Sequence, residues 1–301
     1  MIIVRLRGGL GNQLFQYAAA KALARHKGVE LKSDLYTYTK HPYRKYELGK
    51  FNINLPEATR EEVHRFTGGN FLIRYLNKRE NYFHCPQVLA QPHYHFYEDF
   101  FNLPMPLYLS GYWQSEKYFL NIADELKKEF TPREPWDGAN QQFIAKMKAH
   151  ESVAVHIRRG DFVKNRQHGS STFFATLSMD YYKRAIAFVQ DKISHPHFYF
   201  FSDDIEWCKD QFAELQSAEF INHNTGINSY KDLLLMSQCK HQVIANSTFS
   251  WWGAWLNQNT DKIIVAPQTW FHQNYISKVE PSYPCRYYNT KDLIPREWIR
   301  L

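Results

Sequence analysis

Leu233-Leu234-Leu235-Met236-Ser237-Gln238-Cys239-Lys240-His241-Gln242-Val243-Ile244-Ala245-Asn246-Ser247-Thr248-Phe249-Ser250-Trp251-Trp252-Gly253-Ala254-Trp255-Leu256 reads as an apolar helix, a polar corner, a short strand, a hydroxyl-rich turn and a second apolar helix. A helix that starts directly after a buried strand offers its first N–H groups, which have no partner within the helix. Its dipole places partial positive charge at the same end. Asn246-Ser247-Thr248 is therefore expected to receive an anion, and a diphosphate suits it best.

Upstream of this stretch the same rhythm repeats. Strands fit 152–157, 197–202, 218–222, 242–245 and 262–266; helices fit 179–193, 205–214, 228–239 and 248–257. Strand and helix alternating over short connections predict a parallel, doubly wound sheet. Such sheets bind ligands at the carboxyl ends of their strands. That rule selects His156 to Asp161, Ser202 to Asp204, Asn222 to Asn228, and Asn246 to Ser250.

The first half opens in the same way. Residues 1–6 read as a strand, Gly8-Gly9 as a turn, and Leu10 to about Lys27 as a helix, the start of an α/β unit. Gly9-Leu10-Gly11-Asn12-Gln13-Leu14 is not a dinucleotide fingerprint, because Leu14 stands where the third glycine belongs, and no Gly-Lys-Ser/Thr follows. A second strand fits 29–33 and another starts at Tyr108. A helix fits Glu116 to Phe130 and a further one Gln141 to Ala149. Residues 34–107, with prolines at 42, 56, 86, 92, 104 and 106, predict short helices and long connections. Thr131 to Gly138 breaks the pattern, so the expected organisation is 1–150, 151–270, and a segment 271–301 packing back on the first half through a helix at Leu293 to Ile299.

The 301 residues are 44% hydrophobic and 17% aromatic, enough for a sizeable core, and the formal net charge is +7. That balance favours an anionic partner; the absence of a long basic run argues against a nucleic-acid tail. Cys85, Cys208, Cys239 and Cys285 show no C-x-x-C spacing, so reduced thiols are expected, with no disulfide framework and no zinc. Arg5 interrupts the N-terminal apolar run, so no signal peptide is expected, and no run approaches the roughly 18 residues of a membrane span. A cytoplasmic protein is expected, with peripheral membrane contact left open.

The strand ends carry the chemistry. Arg158 and Arg159 follow Val153 and Val155, and a guanidinium binds a diphosphate bidentately without ever deprotonating. Asp161 is a candidate to hold one arginine; a surface ion pair is the plain alternative. Ser202-Asp203-Asp204 ends an aromatic strand. Neighbouring strand residues point to opposite sides, which disfavours a shared metal. A ribose or base contact, or Asp204 as a helix N-cap, fits better. Asp232 either complements a helix dipole or accepts from a guanine edge. Trp251, Trp252 and Trp255 read as core packing.

Arg7-Gly8-Gly9-Leu10-Gly11-Asn12-Gln13, His156-Ile157-Arg158-Arg159-Gly160-Asp161, Phe201-Ser202-Asp203-Asp204 and Asn246-Ser247-Thr248-Phe249-Ser250-Trp251-Trp252-Gly253 occur in this order. Together they resemble the α-1,2-fucosyltransferases of glycosyltransferase family 11, in a bacterial form without a membrane anchor. The resemblance implies a GT-B-type α/β fold of two Rossmann-like domains facing a cleft. It implies GDP-L-fucose as donor, no metal or other cofactor, and inversion to an α-1,2 link on galactose. By that likeness Arg158 would bind the β-phosphate, Ser247 and Thr248 phosphate, and His156 and Asp232 the nucleoside; Asn12 would reach the donor from the first domain. Gly11, Asp204, Asn246 and Phe249 complete the expected donor side. Arg158 is the expected catalytic residue, with Asp161 as the weaker candidate for the acceptor's base. The acceptor would be a galactose-terminated oligosaccharide or glycolipid, shaped by residues 34–107. Another acceptor hydroxyl, or a protein acceptor, is the alternative. A non-enzymatic RNA-binding protein is disfavoured by the absence of any RNA-binding motif.

Overall fold

The computed structural model describes residues 1–40, 44–68, 85–159, 174–175, 177–272 and 289–301. The chain divides into two units, Met1–Thr131 with Asn274–Pro295, and Pro132–Gln273 with Arg296–Leu301.

In the first unit, Ile2–Arg5 (β1) is apolar and buried, and Gly8 ends it with φ +80°. A side chain at Gly8 would place its Cβ 2.5 Å from Asn12 Nδ2, so both backbone and space demand glycine. The helix Leu10–Lys27 (α1) follows. It closes on Gly28 at φ 63°, behind a last turn of Arg25, His26 and Lys27 that suits the helix dipole. Then come Leu31–Asp34 (β2), Tyr36–Lys40 (α2), Arg60–Thr67 (α3), Val88–Ala90 (β3), Leu107–Ser110 (β4) and Ala123–Glu129 (α4). The sheet is parallel throughout, in the order β2-β1-β4-β3.

The second unit starts with Gly138–Ala149 (α5) and Glu151–Ile157 (β5). Met179–Lys192 (α6), Pro196–Ser202 (β6), Ile205–Gln211 (α7), Ala218–Ile221 (β7), Tyr230–Met236 (α8), His241–Val243 (β8), Thr248–Trp255 (α9), Ile264–Ala266 (β9) and Ile299–Arg300 (β10) complete it. All its strand pairs are parallel, in the order β10-β9-β8-β5-β6-β7. Counted from β5, this is the doubly wound order 3-2-1-4-5-6 of nucleotide-binding sheets. Val153, Val155 and Ile157 face Tyr181, Tyr182, Ala185 and Val189 of α6 in one buried cluster with Phe198, Phe200, Val243 and Val265. Each buried Val, Ile or Phe side chain of the cluster stabilises the unit by about 1.5–3 kcal/mol.

The expected α/β class, with a parallel sheet in each half, is what the structure has. Several details differ. The boundary expected at residue 150 falls after Thr131, and α5 belongs to the second unit. Polar contacts hold α5 there: Asn140 bonds Asn224, and Lys231 bonds Asp137 at its N-cap. The helix expected over Glu116 to Phe130 is broken into two 3₁₀ turns, Glu116–Tyr118 and Leu120–Ile122, before α4. No helix spans Leu293 to Ile299. Pro295 interrupts that run, and Ile299–Arg300 pairs with β9 instead. Residues 289–295 go with the first unit, where Asp292 accepts from Lys117 Nζ at 2.6 Å and from the Phe96 N–H at 3.1 Å.

The quoted stretch forms α8, β8 and α9. A Cβ built on Gly253 would lie 3.0 Å from Met236 Cβ and 3.2 Å from the Leu233 carbonyl, so α8 and α9 pack backbone to backbone there. Trp251 and Trp252 are wholly buried and meet edge to face at 5.0 Å. The tryptophans therefore pack the core, as their helical spacing predicts. Cys85, Cys208 and Cys239 are buried; Cys285 lies outside the described residues. No helix among the described residues is long and apolar enough to cross a membrane.

Candidate active site

In the second sheet the chain runs outward in both directions from β5: to β6 and β7 on one side, and to β8, β9 and β10 on the other. Loops leaving adjacent strands in opposite senses open a crevice at the carboxyl ends of β5 and β8. His156, Arg158 and Arg159 come from β5 and the residues after it. Asn246, Ser247, Thr248 and Phe249 come from the turn between β8 and α9. The two groups meet through the His156 and Phe249 rings, whose centroids are 5.8 Å apart.

The arginines are set by β6. Parallel register places Ile157 opposite Ser202, so the residues just beyond, Arg158 and Asp203, face each other. Arg158 Nε donates to Asp203 Oδ2 at 3.2 Å, while Asp203 Oδ1 accepts the Arg159 N–H at 2.9 Å. Arg159 Nε donates to Asp204 Oδ2 at 3.2 Å, and its guanidinium lies 3.7 Å from the Trp207 ring centroid. Half-exposed pairs of this kind contribute only about 0–1 kcal/mol to stability. Their effect is geometric, because each carboxylate fixes one guanidinium by its Nε. Asp204 was expected to meet the ligand or to cap α7. Its side chain caps nothing and is bound to Arg159 instead.

His156 is 5% exposed. Burial, reinforced by the nearby Arg158 charge and opposed by Asp203, pushes its imidazole down to about 4, so it is neutral at pH 7. Its Nδ1 is buried without a hydrogen-bond partner among the described residues. A buried orphan nitrogen at a strand end is a place for a ligand atom.

Across the crevice, Ser247 is the N-cap of α9, and its hydroxyl accepts the Phe249 N–H at 3.3 Å. The first turn of α9 contains no acidic residue, so nothing within the helix cancels the positive end of its dipole. Ser247, Thr248 and Phe249 are half-buried and reach the surface. Asn246 is different. It is 1% exposed, and both N–H groups of its amide are committed to carbonyls, Ala175 at 2.6 Å and Trp270 at 2.9 Å. Its amide N–H groups are thus unavailable to a ligand; they tie the turn to two neighbouring segments.

Asp232 lies in the first turn of α8, beyond the carboxyl end of β7. Burial pushes its carboxyl up to about 7, against a hydrogen bond from Asn224 that favours the ionised form. Gly11 and Asn12 belong to the first unit, in the first turn of α1. Asn12 Oδ1 accepts from Gln114 Nε2 at 2.8 Å, and Gln114 in turn accepts from the Tyr94 hydroxyl. Asp161 lies outside the described residues. Sequence reasoning missed Asp203 as the partner of Arg158, because that pairing depends on the register between β5 and β6. It also missed Trp207 and Asn224, for which no local pattern gives a signal.

The site thus combines a carboxylate-anchored arginine, a neutral histidine and an unneutralised helix N-terminus around one crevice. That set suits an anionic leaving group. The family model described as glycosyl transferase family 11 matches residues 1–288. The chain is 33% identical to an alpha-1,2-colitosyltransferase of Escherichia coli, over 100% of this chain and 99% of that protein. It is 33% identical to the O-antigen biosynthesis glycosyltransferase WbnK of Escherichia coli, over 91% of this chain and 96% of that protein. It is 28% identical to the galactoside 2-alpha-L-fucosyltransferase Sec1 of Mus musculus, over 94% of this chain and 72% of that protein.

Proposed function

Because the chain belongs to glycosyl transferase family 11, we propose that it transfers L-fucose from GDP-β-L-fucose to the 2-hydroxyl of a terminal galactose. The sugar carbon inverts, giving an α-1,2 link. One observation carries the reading: anchored Arg158 and the N-terminus of α9 behind Ser247 and Thr248 share one switch point. As the bond between the fucose C1 and the phosphate oxygen breaks, its electron pair stays on the β-phosphate. The acceptor oxygen attacks C1 from the opposite face, and its proton leaves to a base, for which Asp161 is the candidate. Arg158 and the helix N–H groups stabilise the charge that GDP gains, a task that needs no metal. Neutral His156 and Asp232 are assigned to the nucleoside.

GDP is expected to bind at micromolar levels in EDTA, followed by calorimetry. GDP release with lactose, and none with acceptors lacking terminal galactose, together with an α-1,2 link in the product by NMR, is the expected outcome. No GDP binding in EDTA would remove the donor reading. Turnover only on other acceptors would remove the galactose reading. A second reading concerns the donor sugar: the relative named as an alpha-1,2-colitosyltransferase makes the same linkage with a sugar that is fucose without its 3-hydroxyl. Side-by-side rates with GDP-fucose and GDP-colitose decide between the two.

Asp203→Asn tests the anchor. It keeps an acceptor for the Arg159 N–H but loses the charge that holds Arg158. A fall of about tenfold in kcat at unchanged fold is expected, the equivalent of one charge-assisted hydrogen bond. Unchanged kcat would show that Arg158 needs no such anchor.

A further inference from the structure

Asp232 is held on one side only. Its Oδ1 accepts from Asn224 Nδ2 at 2.8 Å, and its Oδ2 has no partner among the described residues. Asn224 is itself locked. Its Nδ2 also donates to Asn140 Oδ1 at 2.9 Å, and its Oδ1 accepts from Asn140 Nδ2 at 3.0 Å. Asn140, wholly buried, continues to Asp137, whose two carboxylate oxygens lie 2.9 and 2.8 Å from Asn140 Nδ2. Asp137 then accepts from Lys231 Nζ at 2.7 Å. Lys231 precedes Asp232 in sequence, so the chain Asp232–Asn224–Asn140–Asp137–Lys231 leaves α8 and returns to it.

The direction of this chain is determined. The ionised carboxylate of Asp137 only accepts, which fixes the Asn140 amide, and Asn140 in turn fixes Asn224, so neither amide can flip without setting oxygen against oxygen. Asn140 is buried at the first turn of α5, and Asn224 follows β7. The first turn of α8 is thereby tied to two separate elements. A network that served only to hold α8 in place could have ended on backbone groups. This one ends on a carboxylate with one oxygen left over.

We propose that Asn224 and Asn140 are positioning residues for donor recognition: they grip Asp232 by one oxygen and present the other to an N–H of the nucleobase. The inference rests on the reading that Asp232 meets the nucleoside.

Only the ionised form of Asp232 offers a strong acceptor at each of its two oxygens. Burial alone favours the neutral acid, and the Asn224 bond is the one interaction that draws it back towards ionisation. The surrounding charges leave this balance alone. Lys231 and Asp137 pair with each other, and the Lys231 ammonium holds Asp137 well below the usual carboxylate range. His223 stacks on Phe143 with ring centroids 5.1 Å apart; burial lowers its pKa, which keeps it neutral. Glu134 lies in the segment before α5 and acts on Lys231. On α5, Lys146 is paired with Glu219, and Lys148 lies in its last turn. The facing helix α9, Thr248–Trp255, has no titratable side chain. The sign follows: affinity for a nucleoside diphosphate rises as pH rises through about 7 and is lost below it. Without Asn224 the carboxyl ionises at a higher pH, and the step moves up.

The test is GDP binding to the full chain by calorimetry, at a series of pH values on both sides of neutrality, with the melting temperature of each variant. The variants are Asn224→Ala, the milder Asn224→Ser, Asn140→Ala and Asp232→Asn. Ionisation of the phosphates of GDP is common to all and cancels in the comparison. Wild type is expected to show a step in affinity near neutrality that Asp232→Asn lacks. Asn224→Ala and Asn224→Ser are expected to move the step upward and to weaken GDP about tenfold at pH 7, the loss of one hydrogen bond to a charged group. Asn140→Ala moves it the same way, through the freed Asn224. A purely structural role would lower the melting temperature and leave the step where it was, and that result would overturn the proposal. Wild type that fails to bind GDP would instead overturn the donor assignment. An unchanged profile in Asp232→Asn would overturn the nucleoside role of Asp232.

Discussion

Arg158→Ala is expected to lower kcat/KM about a hundredfold or more, the loss that follows removal of one preorganised donor to a developing charge. The arginine is not a generic surface cation. Its Nε is bound to Asp203 at 3.2 Å, and the same carboxylate receives the Arg159 N–H. The guanidinium therefore has a fixed place before any ligand arrives, as the proposed stabilisation of charge on a β-phosphate requires. Arg158→Lys is expected to recover little, because an ammonium on a flexible stem cannot reproduce a planar fork held at one edge. Arg159→Ala is the control. Arg159 is engaged by Asp204 and lies over Trp207, so its loss is expected to cost less turnover than that of Arg158. Steady-state kinetics on GDP release would check all three. An Arg158→Ala enzyme with near-normal turnover would sink the assigned role.

Trp252→Ala is expected to destabilise the second unit by about 3–5 kcal/mol, the range for removing a large aromatic side chain from a packed core. Trp252 is wholly buried and meets Trp251 at 5.0 Å and Trp255 at 5.2 Å between ring centroids, both near-perpendicular. The close approach of α8 and α9 at Gly253 leaves little freedom to collapse into the space. Since α9 also supplies the N-terminus at the crevice, loosening it should weaken GDP binding as well. Denaturant unfolding of both forms measures the first effect and calorimetry the second. Normal stability combined with lost acceptor binding would mean that the ring is a sugar platform and not core.

The alternation of apolar strands and helices from residue 151 onward was legible in sequence, because the periods of strand and helix are local properties of side-chain placement. All five predicted strands of that half are present within two residues of their expected ends. The helix at Glu116 to Phe130 was over-read for the same reason: apolar spacing favours a helix, but the backbone there takes two 3₁₀ turns before α4 begins. The tie that Asn246 makes was hidden by its neighbours. Ser247 and Thr248 beside it are half-buried and reach the surface, while its own amide N–H groups bond the carbonyls of Ala175 and Trp270, remote in sequence. The role of α5 was hidden likewise, since Asn140 gains its meaning from Asn224, which lies 84 residues away.

By itself the sequence determined the α/β class and the turn at Gly8-Gly9, and it raised the expectation that the N-terminus of α9 and Arg158 receive an anion. Each follows from forces acting within a few residues: backbone sterics, orphan N–H groups and the chemistry of a guanidinium. Only the tertiary structure decided that β5 lies between β6 and β8, and so that Arg158 is opposite Asp203 and that His156 meets Phe249. It likewise decided that Asp232 is gripped through Asn224 and Asn140. Strand order and register are long-range pairings, chosen by which buried faces and hydrogen-bond edges fit together, and no local period records them.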